Sequence, residues 1–331
     1  MYSFRKFSML AIFLLAGLGF AVPAVHAITV SPALVEMTID AGMKRTGSIS
    51  IQNTEDRPVY YDVYFQNFIA KGEEGQQDFV GSNLVFQDAD WISPQNDSIT
   101  LDSKQKIDFQ YTIRTPKDAM PGGHYIVMFL SKKMKMSGDS TGASVNPKIG
   151  ILFFIRVTGE ITEDLQIESF RLMQSEDNLN RLPVVFETRF GNLGNVHLRP
   201  EGDIVIKNAF GQISAVIPLN PKGSLVMTKS VRRVESQWKK KAFVDSGRNG
   251  GWLNEIKNEW QNFAIGPHTA EIEGFYGEGK LPLSGKIKFW IMPWHLISTG
   301  ILGVIFAILL VKIYRRLLVR EMLKRTKKIN A

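Results

Sequence analysis

An uncharged run over residues 289–311, followed at once by a cluster of cations, constrains this chain more than any other feature. A helix over this run is about 34 Å long at about 1.5 Å per residue, which is enough to cross a hydrocarbon core of about 30 Å. Leu, Ile, Val and Phe dominate residues 296–311, and each of them favours membrane insertion. We therefore expect a single transmembrane helix over residues 291–313 and a basic cytoplasmic tail over residues 314–331.

Aromatic and cationic side chains flank the two ends of this run. Tryptophan prefers the headgroup level of a bilayer, and Lys and Arg mark the cytoplasmic side of a span. The residues predicted to anchor the helix in the membrane are Trp290, Trp294, Lys312, Arg315 and Arg316. A buried core helix is the alternative, but core helices do not usually run into eight cations.

The amino terminus has the three-part pattern of a secretory signal peptide over residues 1–27. Arg5 and Lys6 precede an apolar stretch, and small residues lead to a predicted cleavage between Ala27 and Ile28. An uncleaved anchor is the alternative, although an apolar run of about 14 residues is short for a membrane span. In both cases we expect the exterior part, residues 28–290, to be extracellular or periplasmic.

The charge balance of the exterior part argues against nucleic-acid binding. The whole chain has a net charge of +8, but the predicted signal and residues 312–331 hold ten of the 40 Lys and Arg and one of the 32 Asp and Glu. The exterior part is therefore near neutral, and the basic tail is better explained as a topology signal that attracts anionic lipid. The chain has no cysteine, which points to a bacterial envelope protein held together by its cores.

Period-two alternation of apolar and polar residues recurs along the whole exterior part. Residues 106–113 show it most clearly, and such runs are typical of strands with one face in a core. Gly, Pro and Asn turns separate many runs of this kind, which predicts an all-β exterior of two tandem immunoglobulin-like β-sandwiches. We place the first over residues 28–160 and the second over residues 161–290. Two polar segments, residues 71–81 and 135–147, are predicted to be mobile loops.

One segment breaks the β pattern. Trp252, Ile256, Trp260 and Phe263 recur at helical spacing with polar residues on the opposite side, so residues 251–263 are predicted to form a short amphipathic helix before the last strands. Its apolar stripe either covers an open end of the second sandwich or forms a contact surface for a partner or for the bilayer. We keep these four residues as candidate partner-binding residues.

Several short motifs carry a resemblance to known envelope proteins. They are residues 28–32 (ITVSP), 47–53 (GSISIQN), 57–59 (RPV) and the stretch 116–129 with its Pro-Gly-Gly turn. These motifs resemble the immunoglobulin-like domain of periplasmic pilus chaperones and the first domain of the WxL-interacting proteins of Gram-positive surfaces. The order of signal, two sandwiches, span and basic tail also resembles the latter family. The resemblance implies a scaffold that holds a surface protein or the cell wall, not an enzyme.

The residues themselves give little support to catalysis or metal binding. Residues 138–142 fit the G-x-S-x-G pattern of hydrolases, but that motif needs a strand leading into a helix, and these residues lie in a polar segment. The histidines of the exterior part are not spaced as a metal-binding pair. Acidic residues near Asp88 could supply oxygen ligands for calcium, but their spacing is more typical of a solvated loop. We expect no catalytic residue, no metal and no cofactor.

Architecture and elimination favour a non-catalytic function. We expect a membrane-anchored envelope protein whose β-sandwiches bind or scaffold a surface protein or a cell-wall polymer. An exposed sheet edge could accept a partner strand by main-chain hydrogen bonding. The alternative is a membrane-anchored chaperone, or a signalling or assembly subunit that works through strand addition or through its transmembrane helix and tail. The expected partners are a surface protein or cell-wall polymer and the lipid bilayer, and not nucleic acid.

Overall fold

The computed structural model describes residues 28–80, 88–132, 147–174, 179–240 and 251–329. The predicted signal peptide, with its cleavage residue Ala27, lies outside the described residues, and so do the residues of the G-x-S-x-G pattern. Ile28, the predicted first residue after cleavage, is the first residue of the first strand.

The first sandwich contains ten strands of the described chain in two sheets. Their bounds are β1 (Ile28–Ser31), β2 (Leu34–Ile39), β3 (Lys44–Asn53), β4 (Val59–Lys71), β5 (Gln76–Val80), β6 (Ile92–Pro94), β7 (Ser98–Leu101), β8 (Lys106–Arg114), β9 (Gly122–Lys132) and β10 (Lys148–Val157). A short 3-10 helix, Asp88–Trp91, precedes β6. One sheet has the order β1-β3-β8-β6, and the other has the order β2-β10-β9-β4-β5, with β7 paired to β4. The chain changes sheets between β1 and β2, so that β1 pairs with β3 whereas β2 runs parallel to β10.

The alternation in the sequence determines which side of each strand enters the core. In β8, Phe109, Tyr111 and Ile113 are buried and alternate with more exposed polar residues, and β4 buries Val59 and Tyr61 in the same way. Because alternate side chains of a strand point to opposite faces, these residues line the space between the two sheets. Removing each such side chain from water stabilises the fold by about 1.5–3 kcal/mol.

The second sandwich contains seven strands of the described chain, also in two sheets. Their bounds are β11 (Leu165–Leu172), β12 (Val184–Asn192), β13 (Glu201–Asn208), β14 (Ile213–Pro218), β15 (Ser230–Trp238), β16 (Gly266–Tyr276) and β17 (Leu281–Ile291). One sheet has the order β11-β12-β15, and the other has the order β14-β13-β16-β17. Phe186, Phe190, Ile204, Ile206 and Ile291 are fully buried between the sheets.

Each sandwich has its own hydrophobic core. The first core ends at Val157, and the second begins with Ile161 and Leu165. The part of the chain before the last helix is thus built of strands, with two tandem immunoglobulin-like β-sandwiches, and the predicted fold class is confirmed.

Two α-helices complete the described chain. α1 (Trp252–Gln261) lies between β15 and β16, inside the predicted helical segment, and α2 (Trp294–Ile329) follows β17. Over Trp294–Arg320, α2 is long and apolar enough to cross a membrane. It begins at Trp294 rather than at the predicted residue 291, because Trp290 and Ile291 still pair with β16. It continues without a break through the basic residues, so the predicted tail is helical as far as Ile329.

The prediction of a mobile loop over residues 71–81 is wrong for the described part of that segment. β4 and β5 form a hairpin in which Lys71 pairs with Gln76. Gly72 and Gly75 adopt positive φ in the turn, a conformation that glycine tolerates without steric cost. The polar composition therefore reflects an exposed turn. Most of the second predicted loop lies outside the described residues.

Candidate functional site

The outer face of the β2-β10-β9-β4-β5 sheet carries aromatic side chains that lie outside the core of the first sandwich. Tyr64 packs on Phe129 with ring centroids 5.3 Å apart, and Phe79 packs on the same ring at 4.9 Å. Phe129 is buried, but Phe79 on the edge strand β5 remains 43% exposed. Exposed apolar surface beside an aromatic cluster is a candidate for binding.

A groove crosses this face in two adjoining hollows. The larger, of about 860 Å³, is lined by residues of β4, the 3-10 helix, the start of β9 and the second sandwich. The smaller, of about 520 Å³, is lined by residues that include Phe79, Phe129 and Leu152. Gln66 and Lys148 border both hollows, so we treat them as one site, the aromatic groove. Both volumes are in the range of ligand-binding clefts.

Lys148 supplies a positive charge at the rim of the aromatic groove. Its Nζ lies 5.3 Å from the ring centroid of Tyr64 and 5.8 Å from that of Phe129. At these distances a cation is attracted to the face of an aromatic ring. The groove therefore combines apolar walls with an ammonium group held over them.

Gly150 keeps part of the aromatic groove open. A Cβ atom at this position would lie 3.0 Å from Val127 Cγ2 and 3.4 Å from Phe129 Cε1. Gly150 lies inside β10 and pairs with Phe129 in the ladder, and its φ is not in the left-handed region. The missing side chain therefore provides space rather than a special backbone conformation.

The groove lies beside a stretch of β10 that is paired on one side. β9 pairs with β10 from Lys148 to Val157, whereas β2 pairs with it only from Leu152 onward. No strand of the described chain pairs with residues 148–151 on the side away from β9. The backbone N–H and C=O groups of such an edge can accept another strand.

The second sandwich closes one end of the aromatic groove. Met227, in the segment before β15, packs in one apolar cluster with Phe68, Tyr125 and Phe154 of the first sandwich. The Tyr125 hydroxyl accepts a hydrogen bond from the backbone N–H of Thr228 at 3.2 Å. Burial raises the pKa of Tyr125 to about 12. The phenol is therefore neutral and acts as a structural link between the two sandwiches.

Ion pairs fix the β4-β5 hairpin to the second sandwich. Arg189 Nε donates to Glu73 Oε2 at 2.7 Å, and Arg233 pairs with the neighbouring Glu74. The Arg233 backbone N–H also donates to the Glu73 carbonyl at 2.7 Å. The hydrogen bond from Arg189 lowers the pKa of the Glu73 carboxyl below its ordinary value, although desolvation opposes this effect. The hairpin therefore bridges the two sandwiches.

Two turns meet where the sandwiches join. The backbone N–H of Gly123 donates to the carbonyl of Asn195 at 2.7 Å. Next to it, His197 packs edge-on against Phe154, with ring centroids 5.2 Å apart. Burial, followed by the positive charges of two nearby arginines, lowers the pKa of His197 to about 4. The imidazole is therefore uncharged at neutral pH.

The four candidate partner-binding residues lie on α1 and just beyond it. Trp252 and Trp260 are 50% and 74% exposed, Phe263 is exposed, and Ile256 is half-buried. The interpretation that this apolar stripe covers an open end of the second sandwich is therefore wrong. The stripe faces outward because a different side of the helix holds it to the protein.

α1 is held by its polar side. Glu259 is fully buried, and one of its carboxylate oxygens accepts a hydrogen bond from Asn180 Nδ2 at 3.1 Å. The carboxylate also lies 2.7 Å from His295 Nδ1 and accepts the backbone N–H of Leu296 at 2.9 Å. A buried carboxylate needs such partners. These contacts join α1 to the first turn of α2 and fix the side that α1 presents outward.

The predicted membrane-anchoring residues lie on two elements. Trp290 is exposed near the end of β17, and Trp294 is exposed at the first residue of α2. Lys312, Arg315 and Arg316 lie farther along α2. The apolar residues from Ile301 to Val311 are exposed, so the helix offers a surface that could anchor the chain in a membrane.

The acidic residues near Asp88 do not assemble into a cation site. Asp88 Oδ2 lies 2.8 Å from His124 Nδ1, and both residues border the aromatic groove. Glu73 and Glu74 bind arginines of the second sandwich instead. In the described part of the chain, no group of three or more carboxylate and histidine side chains is arranged to hold a metal ion.

The aromatic groove was not identified from the sequence, although one signal pointed to it. Residues 125–130 of β9 are apolar on both faces and are buried throughout. A strand whose successive residues are all apolar is typical of a sheet that is covered on both faces. Such a run indicates that something packs on the outer face of this sheet. The sequence does not indicate that the cover is incomplete.

No protein-family model matches this sequence, and comparison with curated proteins also gives no match. The resemblance to the WxL-interacting proteins therefore stays a prediction. Among solved structures, the class 5 fimbriae chaperone CfaA is similar to this chain, with 11% identity and a TM-score of 0.37, over 78% of this chain and 98% of that chain.

Two further similar structures are complexes. One is the CsuC-CsuE chaperone-tip adhesion subunit complex of Acinetobacter baumannii, with 10% identity and a TM-score of 0.35, over 79% of this chain and 97% of that chain. The other is the SafA pilin with the SafB chaperone from Salmonella enterica, with 8% identity and a TM-score of 0.34, over 81% and 97%. At these TM-scores the similarity gives no basis for transferring a function.

Proposed function

We propose that this protein is a membrane-anchored, non-catalytic binding protein of a bacterial envelope that holds a segment of another envelope protein in the aromatic groove, in a chaperone or assembly role. The observation that carries this proposal is the position of the groove beside the half-paired edge of β10. Backbone pairing and side-chain pockets then lie next to each other, which is the combination that recognition of an extended strand requires.

The chemistry of the groove favours a polypeptide with apolar side chains. Tyr64, Phe79 and Phe129 offer ring surfaces, and the space above Gly150 admits a side chain from outside. A strand paired with residues 148–151 would place every second side chain on the same face as these rings. Lys148 would favour an acidic residue or a terminal carboxylate of the partner near the rim.

In this proposal, α2 anchors the protein in the membrane. From Ile301 to Val311 its apolar side chains are exposed rather than packed against either sandwich. The cations Lys312, Arg315 and Arg316 follow the apolar part, and by the charge rule they face the cytoplasm. The two sandwiches then stand on the outer side of the membrane, where a secreted or surface-bound polypeptide can reach the groove.

Site-specific photo-crosslinking in intact cells tests this function. A photo-crosslinking amino acid is placed at Phe79, on the wall of the groove, in the full-length chain. The matched control is the same amino acid at Phe210, which is 87% exposed on the second sandwich. We expect protein adducts from position 79 and not from position 210. Adducts to glycan in place of protein would instead favour a cell-wall polymer as the partner.

A blocking variant shows whether the adducts depend on the groove. Gly150→Leu fills the space beside Val127 and Phe129 and is expected to abolish the adducts from position 79. Gly150 is exposed in a regular strand, but the added Cβ atom would lie 3.0 Å from Val127 Cγ2, so the unfolding temperature is measured to show that the variant is folded. Equal adducts from positions 79 and 210, or adducts that persist in a folded Gly150→Leu variant, would contradict binding in the groove.

A further inference from the structure

α1 is an amphipathic helix with its apolar side turned outward. Leu253 and Trp260 are 79% and 74% exposed, and Trp252 and Phe263 are exposed beside them. Large apolar side chains exposed as a group are uncommon on a soluble surface and mark a contact with another apolar phase. This surface, which we call the α1 apolar face, is separate from the aromatic groove.

The contacts of the opposite side leave α1 no freedom to turn its apolar face inward. Glu255 pairs with Arg181 at 2.5 Å, and Glu259 binds Asn180 and the first turn of α2. Asn262 follows on the same side and is also buried. Rotation of α1 about its axis would break each of these contacts. The outward position of the apolar face is therefore built into the fold.

The position of α1 relative to α2 suggests which apolar phase it meets. The ring of Trp252 lies 5.0 Å from that of His295, which is the second residue of α2. The Glu259 carboxylate accepts the backbone N–H of Leu296 in the same turn. α1 thus lies beside the point at which the candidate span begins. Trp290 and Trp294, near the end of β17 and at the first residue of α2, are also exposed, and tryptophan prefers the headgroup level of a bilayer.

We propose that α1 lies in the interfacial layer of the lipid bilayer, with Trp252, Leu253, Trp260 and Phe263 inserted among the lipid headgroups and the upper acyl chains. This inference rests on the membrane anchoring by α2 that belongs to the proposed function. Amphipathic helices with Trp, Leu and Phe on one side bind membranes in this way. The protein would then contact the membrane at two places and hold a fixed orientation on it.

Lipid-quenching measurements on the full-length protein test the insertion. Because the chain has no cysteine, single cysteines can carry an environment-sensitive fluorophore at chosen positions. We choose Leu253→Cys on the α1 apolar face, Ile305→Cys in the candidate span and Phe210→Cys on the exposed second sandwich. Each labelled protein is reconstituted in vesicles of phosphatidylethanolamine and phosphatidylglycerol in equal parts.

The three labels separate the possible results. We expect lipids brominated near the headgroup to quench the label at residue 253, deeply brominated lipids to quench the label at 305, and neither to quench the label at 210. Aqueous iodide is expected to quench only the label at 210. If 305 is quenched by lipid but 253 behaves like 210, the anchor holds and the insertion of α1 is refuted. If 305 is not quenched by lipid, the anchor itself fails.

Two substitutions distinguish lipid from a protein occupant. Trp260→Glu places a charge on the α1 apolar face and is expected to abolish lipid quenching at residue 253, whereas Gln261→Glu on a neighbouring exposed position retains it. Both positions are exposed, so we expect no loss of melting temperature from either variant. Protection of residue 253 from iodide without quenching by brominated lipid would show that a second copy or another protein covers the face, and would refute the proposal.

Discussion

The Glu259 carboxylate connects the two helices of this protein, since it lies 2.7 Å from the ring nitrogen Nδ1 of His295 and also accepts the backbone N–H of Leu296. Glu259→Ala removes the acceptor for the first turn of α2 and is expected to lower the free energy of unfolding by about 1–3 kcal/mol. Denaturant unfolding of the detergent-solubilised protein measures this. Gln261→Ala, at an exposed position of the same helix, is the control. Equal effects of the two variants would contradict the connecting role.

Because each sandwich has its own core, we expect a substitution in one core to destabilise mainly the sandwich that contains it. Phe153→Ala in the first sandwich and Phe186→Ala in the second each remove a fully buried ring and are expected to cost about 3–5 kcal/mol. Phe210→Ala removes an exposed ring and is expected to change the free energy of unfolding by less than about 0.5 kcal/mol. Hydrogen exchange measured for individual peptides shows which sandwich loses protection. Loss of protection mainly in the unmutated sandwich would contradict independent cores.

The junction of the sandwiches depends on a glycine that no other residue replaces easily. Gly122 has φ of +133°, and a Cβ atom there would lie 2.6 Å from the Asn195 carbonyl oxygen. Gly122→Ala is expected to destabilise the protein by roughly 1–3 kcal/mol and to raise hydrogen exchange around Asn195. Gly211→Ala is the matched control, because Gly211 also has positive φ but no atom within 4 Å of its Cβ position. Equal changes near Asn195 in both variants would contradict the predicted clash.

Acid is expected to weaken the contact between the sandwiches through His197. Its pKa is lowered from 6.5 to about 4, so below about pH 6.5 the unfolded chain takes up a proton that the folded chain does not. The contribution of His197 to the free energy of unfolding is therefore fully present above pH 6.5. It falls as the pH drops towards 4, by at most about 3 kcal/mol. Denaturant unfolding at a series of pH values measures the slope.

His197→Phe keeps an aromatic ring at this position and is expected to reduce that slope. Burial also lowers the pKa of His268 in the second sandwich, so the wild-type slope has a second contribution of the same sign, and the variant is expected to retain it. An unchanged slope in a folded His197→Phe variant would show that His197 does not titrate in this way.

The sequence predicted the two sandwiches because the information for a strand is local. Residues such as Phe109 and Ile113 alternate with polar neighbours, and this period is enough to assign their side of the strand. The side of α1 that faces the protein was not predictable in the same way. The spacing of Trp252 and Trp260 defines an apolar stripe, but the partners that fix the helix, Asn180 and His295, are distant in the sequence.

The aromatic groove was not predictable from the sequence for the same reason, because the residues that form it are distant in the chain. Its walls combine residues of β4, β5, β9 and β10, and Thr228 and Lys229 of the second sandwich border one end. The Pro-Gly-Gly turn was predicted from the sequence, but its contact with Asn195 depends on how two folded units approach each other. A local sequence pattern does not indicate how the two sandwiches contact each other.

The step from β17 to α2 has a mechanical consequence. Met292 and Pro293 alone separate the last strand from the helix, and the backbone N–H of Met292 donates to the Leu179 carbonyl at 2.9 Å. A long linker would let the sandwiches move through a wide volume relative to α2. A linker of two residues restricts that motion. If α2 spans the membrane as proposed, the two sandwiches keep a fixed position beside it, and a binding partner has to reach the groove there.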